Sequence, residues 1–300
     1  MNVINRVLVT GIPLVPKPIV GFFSRRYIAG KALEDAVRVV REINRDGMMA
    51  TLDVLGEETS SREEARAAAE TYKRVLAVIQ SEKLDANVSV KLTQMALKLD
   101  PRFCREVFRE VVREAHQRGI FVRIDMEDSS CTDETLAIYE ELRREFDNVG
   151  IVLQAYLRRT VFDADSLIQN GRTNFRLCKG IYVEPRLIAY GDKDLINRNF
   201  TLVLERMLHD GAYVGIATHD ERLVWEGMRL VRELNLPKER YEFQMLLGVD
   251  TELRKIILAA GHRLRIYVPF GEKWYRYSMR RLRENPQIGR YVIQNLFHRA

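Results

Sequence analysis

Eight short runs of β-branched or apolar residues alternate along the chain with longer amphipathic segments, and this alternation restricts the fold more than any other feature. The predicted strands are Met48–Val54, Asn87–Leu92, Ile120–Met126, Val149–Gln154, Phe175–Lys179, Ala212–Thr218, Tyr241–Met245 and Arg263–Val268. The predicted helices are Ser61–Ser81, Pro101–Arg118, Asp133–Phe146, Asp194–Asp210, Glu221–Leu234 and Asp250–Gly261. Strict alternation favours a parallel sheet. Eight strands in 300 residues predict an α/β fold with a closed (β/α)8 TIM-type barrel, and an open doubly wound sheet is the alternative.

The chain has enough apolar residues for a large core, since 46% of its residues are hydrophobic and 30% are charged. Length alone suggests about two domains of roughly 150 residues, but an α/β barrel fills this length as one domain. No Gly-, Ser- or Pro-rich linker follows residue 30. We therefore predict one catalytic barrel over residues 48–300, preceded by an N-terminal arm or helical segment over residues 1–47.

The N-terminal arm is apolar from Val7 to Phe23, but three prolines and a lysine interrupt it between residues 13 and 18. A membrane-spanning helix needs roughly 20 apolar residues, and prolines break such a helix. No clear signal-peptide cleavage site follows. We expect the arm to pack on its own domain or on a partner subunit. A peripheral contact with the inner face of the cytoplasmic membrane is the alternative.

The charge and cysteine content disfavour several classes of protein. Forty-eight Lys and Arg residues against 42 Asp and Glu residues give a net charge of only +6, and Glu272 and Glu284 interrupt the basic C-terminal segment. Nucleic-acid binding is therefore disfavoured. Three scattered cysteines, Cys104, Cys131 and Cys178, fit neither a disulfide framework nor a structural zinc site. They favour a reducing, cytoplasmic location.

Every predicted strand carries a polar or ionisable residue at its C-terminal end. These residues are Asp53, Lys91, Asp125, Gln154, Lys179, Thr218 with His219, Gln244 and Tyr267. Active sites of barrel enzymes are built from these strand ends and the loops that follow them, so the pattern predicts an enzyme with a charged pocket. Glycine-rich dinucleotide and phosphate-binding motifs are absent. A single strand-end histidine, His219, predicts no metal site.

A basic and aromatic helix is predicted over Glu272–Asn285. Tyr277, Arg281 and Glu284 share one face of this helix, and Arg280 lies beside that face. Two neighbouring guanidinium groups can hold one carboxylate through paired hydrogen bonds, which a lysine cannot reproduce. A solvated basic face, or a patch for an acidic partner, is the alternative.

Eight short motifs follow one another in a fixed order over most of the chain from about residue 48 onward. They are Val88–Gln94 (VSVKLTQ), Ile124–Ser129 (IDMEDS), Leu153–Thr160 (LQAYLRRT), Phe175–Pro185 (FRLCKGIYVEP), Ala217–Asp220 (ATHD), Glu242–Gly248 (EFQMLLG), Arg265–Gly271 (RIYVPFG) and Tyr275–Asn285 (YRYSMRRLREN). Together they resemble the monofunctional bacterial proline dehydrogenases, which are FAD-dependent (β/α)8-barrel enzymes. The resemblance implies oxidation of L-proline to Δ1-pyrroline-5-carboxylate, the first step of proline catabolism. Hydride would pass to flavin N5, the electrons to a quinone, and the product to a separate pyrroline-5-carboxylate dehydrogenase.

The resemblance also implies the residues of the substrate site, which are Lys91, Leu246, Tyr267, Tyr277, Arg280 and Arg281. The two arginines of the C-terminal helix would lie over the barrel mouth and hold the proline carboxylate, with Lys91 alongside. Leu246 and the two tyrosines would form pocket walls against the apolar ring edge. Asp125 and Arg176 are implied as catalytic, with Arg176 near flavin N5. We expect Asp125 to organise Lys91 and Arg281 electrostatically, and proton acceptance is its alternative role.

The implied cofactor-binding residues are Met126, Gln154, Arg176, Lys179, Gly180, Ile181, Thr218, His219 and Glu284. Lys179 would contact a phosphate group, and Gly180 would permit a close approach of the backbone. Hydroxyproline is an alternative substrate, decided by the pocket around Tyr277. A non-catalytic barrel that binds proline or recruits a membrane is an alternative outside the enzymes.

Overall fold

A computed structural model of the chain describes residues 20–21, 24–56, 58–171, 173–275 and 277–279. Over these ranges, eight parallel strands form a closed barrel in chain order, and the last strand pairs with the first. The strands are β1 (Met49–Val54), β2 (Ala86–Val90), β3 (Val122–Ile124), β4 (Val149–Gln154), β5 (Asn174–Cys178), β6 (Tyr213–Ala217), β7 (Tyr241–Leu246) and β8 (Leu264–Phe270). The predicted (β/α)8 barrel is confirmed, and the open-sheet alternative is wrong.

Eight α-helices surround the barrel within the described residues. They are α1 (Leu33–Arg45), α2 (Arg62–Ser81), α3 (Pro101–Gln117), α4 (Thr132–Glu145), α5 (Thr160–Gln169), α6 (Lys193–His209), α7 (Glu221–Glu233) and α8 (Thr251–Ala259). Side chains cap several helix starts, since Ser61 accepts from the Glu64 amide and Asp100 from the Phe103 amide. The sequence prediction missed α5, whose ten residues carry a weak apolar pattern.

Helix α1 lies before the first strand and packs on β1 and β8. Its buried residues Ala36, Val40 and Ile43 belong to the main hydrophobic core. It therefore covers the place where the barrel closes. The division of the chain at residue 47 into an arm and a barrel remains a prediction.

Both faces of the barrel wall are buried, but only the outer face is consistently apolar. Alternate residues of a strand point to opposite faces of a sheet. In β7, Phe243 and Met245 pack in the apolar core, whereas Glu242 and Gln244 form hydrogen bonds with other inward side chains. This alternation fills the interior of the barrel with polar and charged groups.

The inward side chains form two layers. We define the upper layer, toward the carboxyl ends of the strands, as Asp53, Ser89, Lys91, Asp125, Arg176, Gln244 and Tyr267. We define the lower layer as Arg123, Tyr213, Glu242 and Arg265. The upper layer forms the floor of the site described below.

The start and the end of the described chain meet beside the barrel mouth. Ser24 Oγ donates to Ser278 Oγ at 2.6 Å, and Tyr277 packs in a small cluster with Ile28 and Leu55. Residues 1–19 of the predicted arm lie outside the described residues, as do residues 276 and 280–285 of the predicted C-terminal helix. No helix within the described ranges is long and apolar enough to cross a membrane.

Candidate active site

A cavity of about 530 Å³ opens at the carboxyl ends of the strands. Small-molecule sites are commonly about 300–1,000 Å³ in volume. Every described residue that the sequence assigned to the site lines this cavity, namely Lys91, Asp125, Met126, Gln154, Arg176, Lys179, Gly180, Ile181, Thr218, His219, Leu246, Tyr267 and Tyr277. Three further predicted residues, Arg280, Arg281 and Glu284, lie outside the described part of the chain.

Asp125 lies at the centre of the cavity floor, immediately after β3. Its Oδ1 accepts hydrogen bonds from Ser89 Oγ at 2.5 Å and from Arg176 Nη1 at 2.8 Å. Its Oδ2 accepts from Tyr267 Oη at 2.8 Å and from Lys91 Nζ at 3.1 Å. Burial raises the pKa of Asp125, but Lys91 and Arg176 outweigh this effect and hold that pKa at about 2. Asp125 is therefore an ionised acceptor and a weak base at neutral pH.

Lys91 follows β2 and forms the cationic partner of two carboxylates. Its ammonium group lies 2.7 Å from Asp53 Oδ1, 3.1 Å from Asp125 Oδ2 and 3.2 Å from Tyr267 Oη. Burial lowers the pKa of Lys91, but Asp53, Tyr267 and Asp125 raise it well above its usual range. An ammonium has three N–H donors, and all three are directed at these acceptors. A substrate carboxylate can therefore bind Lys91 directly only by replacing one of them.

Arg176 in β5 connects the cavity floor with the interior of the barrel. Its Nη1 donates to Asp125 and to Ser89, and its Nε donates to Gln244 Oε1 at 2.5 Å. Its Nη2 is buried without a hydrogen-bond partner among the described residues. Buried polar groups are nearly always hydrogen-bonded, so this donor is available to a ligand in the cavity.

Gln154, the last residue of β4, presents an acceptor to the same cavity. Its Nε2 donates to the carbonyl oxygen of Met126 at 3.1 Å and lies 3.4 Å from that of Glu127. Two carbonyl acceptors fix the orientation of the amide, since only its NH2 group can donate to them. Gln154 Oε1 is buried with no partner in the described chain. Arg176 and Gln154 thus leave one donor and one acceptor for a ligand.

The segment after β5 forms one side of the cavity through Lys179, Gly180 and Ile181. Lys179 Nζ forms an ion pair with Asp220 Oδ2 at 2.6 Å, and its side chain is 36% exposed. Gly180 has φ +102°, and a Cβ there would lie 2.0 Å from the Tyr156 ring. The backbone conformation and the neighbouring ring both require glycine at this position.

Thr218 and His219 follow β6 and make structural hydrogen bonds. Thr218 Oγ1 accepts from the Asp220 amide at 3.1 Å, and His219 Nε2 accepts from the Leu246 amide at 2.8 Å. A ring nitrogen that accepts is unprotonated, which assigns the proton of a neutral His219 to Nδ1. His219 therefore fixes the C-terminal end of β7 at Leu246.

Four polar residues of this site are missing from the sequence-based assignment. Asp53 and Gln244 belonged to the strand-end pattern, and both line the cavity. Ser89 holds Asp125 and could have been found because it shares the inward face of its strand with Lys91. Asp220, the ion-pair partner of Lys179, lies in the motif Ala217–Asp220, but the resemblance assigned it no role. No group of three or more His, Cys, Asp or Glu side chains suited to a metal ion occurs in the part of the chain that the structure describes.

Comparisons of the sequence and the fold with known proteins indicate one family. The family model "Proline dehydrogenase" matches residues 36–292. Proline dehydrogenase 1 of Bacillus subtilis (strain 168) is 37% identical over 273 residues, which cover 91% of this chain and 90% of that protein. The proline dehydrogenase of Deinococcus radiodurans is 34% identical over 278 residues, with 91% and 89% covered.

Among solved structures, proline utilization A (PutA) from Bdellovibrio bacteriovorus, inactivated by N-propargylglycine, has a TM-score of 0.81 and 29% sequence identity to this chain. The match covers 86% of this chain and 32% of PutA, so the chain spans about a third of that larger protein. Since the family model covers most of the sequence and relatives at 34–37% identity match along nearly their whole length, the chain belongs to the proline dehydrogenase family and is an oxidoreductase that acts on proline.

Proposed function

We propose that the chain binds FAD and uses it to oxidise L-proline to Δ1-pyrroline-5-carboxylate, the first step of proline catabolism. The observation that carries this proposal is a pair of buried atoms without partners among the described residues, Arg176 Nη2 and Gln154 Oε1, on two residues that line one cavity. The edge of an isoalloxazine ring offers an N–H donor together with nitrogen and oxygen acceptors. The donor and the acceptor of the protein match these two kinds of group.

Arg176 carries the main electrostatic role in this proposal. When bound, FAD would supply the hydride acceptor at N5, and we assign Arg176 to the neighbourhood of that atom. A buried guanidinium that is fixed by Asp125, Ser89 and Gln244 stabilises negative charge without reorganisation. The proposed cofactor-binding set also includes Met126, Thr218, His219, Gly180, Ile181 and Glu284.

Lys179 is the proposed partner of the cofactor's phosphate groups. Asp220 uses one of its three N–H donors and holds the ammonium at the cavity wall. A phosphate can accept from the remaining donors while this ion pair persists. Lys179→Gln should therefore weaken FAD binding, measured as the amount of flavin retained after dialysis. Replacing exposed Lys193 at the start of α6 by glutamine should leave retention unchanged.

The substrate side of the cavity is formed by the cations and the apolar walls. We propose that Arg280 and Arg281 hold the proline carboxylate and that Lys91 assists. Because all three Lys91 donors are occupied, the carboxylate would replace Tyr267, which is the longest of the three contacts at 3.2 Å. Tyr267, Tyr277 and Leu246 would then face the apolar edge of the proline ring.

Asp125 is proposed as an electrostatic organiser. Hydride leaves the ring carbon next to nitrogen, so the proline amine must be neutral or lose its proton as the hydride leaves. A carboxylate whose pKa is held at about 2 accepts a proton poorly at neutral pH. Its value to the reaction is instead to fix Lys91 and Arg176 relative to each other.

Anaerobic reduction tests the proposal directly. The purified protein should be yellow, and L-proline added without oxygen should bleach the flavin absorbance. An Asp125→Asn variant should bleach about 100-fold more slowly, since it loses the charge that orders two cations. Asp100→Asn makes the same chemical change at a half-buried helix cap that does not line the cavity and should bleach at the wild-type rate. A colourless protein, or one that proline leaves oxidised, would refute the function. Equal rates in Asp125→Asn and the wild type would refute both roles considered for Asp125.

The electron acceptor is proposed to be a quinone, reached at the cavity mouth or at a membrane surface. Val183 and Leu187, on the loop after β5, expose almost their whole side chains and follow the cavity-lining residue Ile181 within six residues of the sequence. Apolar side chains at a site entrance suit an apolar acceptor. Replacing Val183 and Leu187 together by serine should lower turnover with a quinone, while anaerobic bleaching by proline stays unchanged. Turnover with a water-soluble dye is the matched control and should also stay unchanged.

The product is proposed to pass to a separate pyrroline-5-carboxylate dehydrogenase. The Bacillus and Deinococcus relatives that match along almost their whole length are named proline dehydrogenases, whereas the chain matches only 25% of the bifunctional PutA of Escherichia coli. Hydroxyproline as a substrate is tested by the same bleaching assay, with proline as the reference.

A further inference from the structure

We infer that Glu242 is a positioning residue for the reaction: through Gln244 it fixes the guanidinium of Arg176 at the cavity floor. The catalytic consequence of this inference rests on the proposed role of Arg176 beside the flavin. The positional part rests on the interior of the barrel alone. Glu242 lies in the lower layer, one inward position below Gln244 on β7.

The Glu242 carboxylate is buried and is used completely by its neighbours. Oε1 accepts from Arg265 Nε and from Gln244 Nε2, each at 2.6 Å. Oε2 accepts from Tyr213 Oη at 2.7 Å and from Arg265 Nη2 at 3.0 Å. Burial raises the pKa of Glu242, but Arg265 outweighs it and holds that pKa at about 2. The carboxylate is therefore ionised and can only accept hydrogen bonds.

An acceptor-only neighbour determines which way the Gln244 amide points. The NH2 group must face Glu242, so the carbonyl oxygen Oε1 must face the other way, toward Arg176. If the amide were rotated by 180°, two oxygens would meet at Glu242 and an NH2 group would meet the cationic guanidinium. The ionised state of Glu242 thus selects the one amide orientation that can bind Arg176 Nε.

The resulting bond determines where the remaining Arg176 donors point. A guanidinium is planar with a fixed fork of N–H groups. With Nε bound to Gln244 and Nη1 bound to Asp125, the guanidinium cannot rotate without breaking one of these contacts, and Nη2 is left buried without a described partner on a residue that lines the cavity. A second observation agrees: a Cβ on Gly215 would lie 2.3 Å from Gln244 Nε2. The neighbouring strand therefore has room for the Gln244 amide only because residue 215 is glycine.

Glu242→Gln tests the inference in the flavin-loaded protein. Its neutral amide can donate as well as accept, so Gln244 is no longer held in one orientation and Arg176 loses its fixed position. The limiting rate of flavin reduction by L-proline should fall about 10- to 100-fold, as expected for a misplaced catalytic group. The concentration of proline at half-maximal rate should change less than about threefold, because the proposed carboxylate-binding cations are untouched. The flavin spectrum and midpoint potential should shift as well.

Two further variants separate positioning from general damage. Tyr213→Phe removes a hydrogen bond from the same carboxylate but leaves Glu242 ionised, so it should lower stability and keep the wild-type rate of reduction. The double variant Glu242→Gln and Gln244→Glu exchanges the two side chains. The amide at position 242 can then donate to the carboxylate at position 244, and that carboxylate accepts from Arg176. The double variant should recover the rate and the flavin spectrum to within about threefold of the wild type. Gly215→Ala displaces Gln244 without changing any charge and should reproduce the slow reduction.

A readout without proline keeps the two proposals apart. In the protein as purified, the ¹⁵N-detected Arg176 Nε–H signal, assigned by its loss in Arg176→Lys, should be protected from exchange. It should lose that protection in Glu242→Gln and regain it in the exchange variant. If wild-type flavin is not reduced by proline, the proposed function fails while this signal still reports the positioning. If Glu242→Gln keeps both the protected signal and the wild-type rate, or if Tyr213→Phe is as slow as Glu242→Gln, the inference is overturned.

Discussion

The two layers inside the barrel lie one inward position apart at β3, β7 and β8, yet they differ in which buried atoms they leave without hydrogen-bond partners. In the lower layer, Arg123 donates to carbonyl oxygens and Glu242 binds Arg265, and no described side-chain atom of this layer is buried without a partner. In the upper layer, Asp53 Oδ2 and Arg176 Nη2 have none within the described chain. Both layers are rich in charge. Only the upper layer has hydrogen-bonding capacity left over.

Within these two layers, charge content does not distinguish the binding surface from its support, whereas buried atoms without hydrogen-bond partners do. A closed network of ionised groups fixes geometry and has no capacity left for a ligand. In an open network, some buried polar groups lack hydrogen-bond partners, and their desolvation costs free energy. Proteins retain such groups where a bound ligand supplies the missing partners. The lower layer is therefore the support and the upper layer the binding surface.

The largest effect should come from one substitution made in both layers. Arg176→Lys keeps a cation beside Asp125 but cannot also reach Gln244 and the cavity, so flavin reduction by proline should fall about 100-fold. Arg265→Lys makes the same change in the lower layer and leaves Glu242 ionised, so the rate should stay within about threefold. Stopped-flow absorbance under anaerobic conditions measures both. Equal losses in the two variants would erase the distinction between the layers.

For the free energy of unfolding we expect the reverse: removing a cation from the lower layer should cost more than removing one from the upper layer. Arg265→Met leaves the buried Glu242 carboxylate without its ion pair and should lower the free energy of unfolding by about 3–5 kcal/mol. Lys91→Met also removes a cation, but the Lys91 side chain is 17% exposed and Asp125 keeps Arg176, so the loss should be about 1–3 kcal/mol. Urea denaturation followed by circular dichroism gives both values. A larger loss from Lys91→Met would mean that the upper layer also serves as scaffold.

Acid should remove the lower layer's contribution within a defined pH range. An unfolded glutamate has a pKa of about 4.3, and the native Glu242 is held at about 2 by Arg265 against the effect of burial. The unfolded state binds more protons between these values, so this stabilisation is complete above about pH 4.3 and disappears as pH falls toward 2. The difference in unfolding free energy between the wild type and Glu242→Gln should shrink over this range. A difference that stays constant from pH 5 to 2.5 would contradict the assignment.

The smallest effect is expected at Cys178, which lines the cavity but belongs to neither layer. Burial raises the pKa of its thiol to about 11, so the sulfur is protonated at neutral pH and is not a nucleophile. Cys178→Ser should leave the rate of flavin reduction within about twofold. Iodoacetamide should label Cys178 slowly at pH 7, as mass spectrometry of the peptide would show. Rapid labelling with loss of activity would contradict this interpretation.

The barrel was predictable because strand and helix patterns alternate strongly, and the strand ends identified most of the cavity. Helix α5 was missed because its apolar pattern is short, whereas α1 lies within the predicted N-terminal arm or helical segment, although its bounds were not predicted. Alternate residues of a strand face the same side of a sheet. Applied to β7, this rule would have identified Glu242 as well as Gln244 as inward-facing.

The sequence alone does not predict which side chains form hydrogen bonds or ion pairs with each other. Lys91, for example, is readable as a cation near the site, but its three occupied donors follow only from the positions of Asp53, Asp125 and Tyr267 on three other strands. The ion pair of Lys179 with Asp220 is similar, because the two residues meet only when neighbouring strands bring their loops together. Contacts between distant segments depend on strand register, which local patterns do not encode.

The closure of β1 on β8 has a consequence for synthesis of the protein. Met49–Val54 pairs with Arg265–Phe270. The first strand of the barrel is therefore synthesised more than 200 residues before the strand that pairs with it. At about 5–20 residues per second, that interval lasts on the order of 10–40 s. Throughout it, one edge of β1 is unpaired and the part of α1 that packs on β8 is uncovered, and such exposed surfaces favour aggregation of nascent chains. A chaperone that shields the emerging N-terminal segment should therefore raise the yield of folded protein more than one that acts after release.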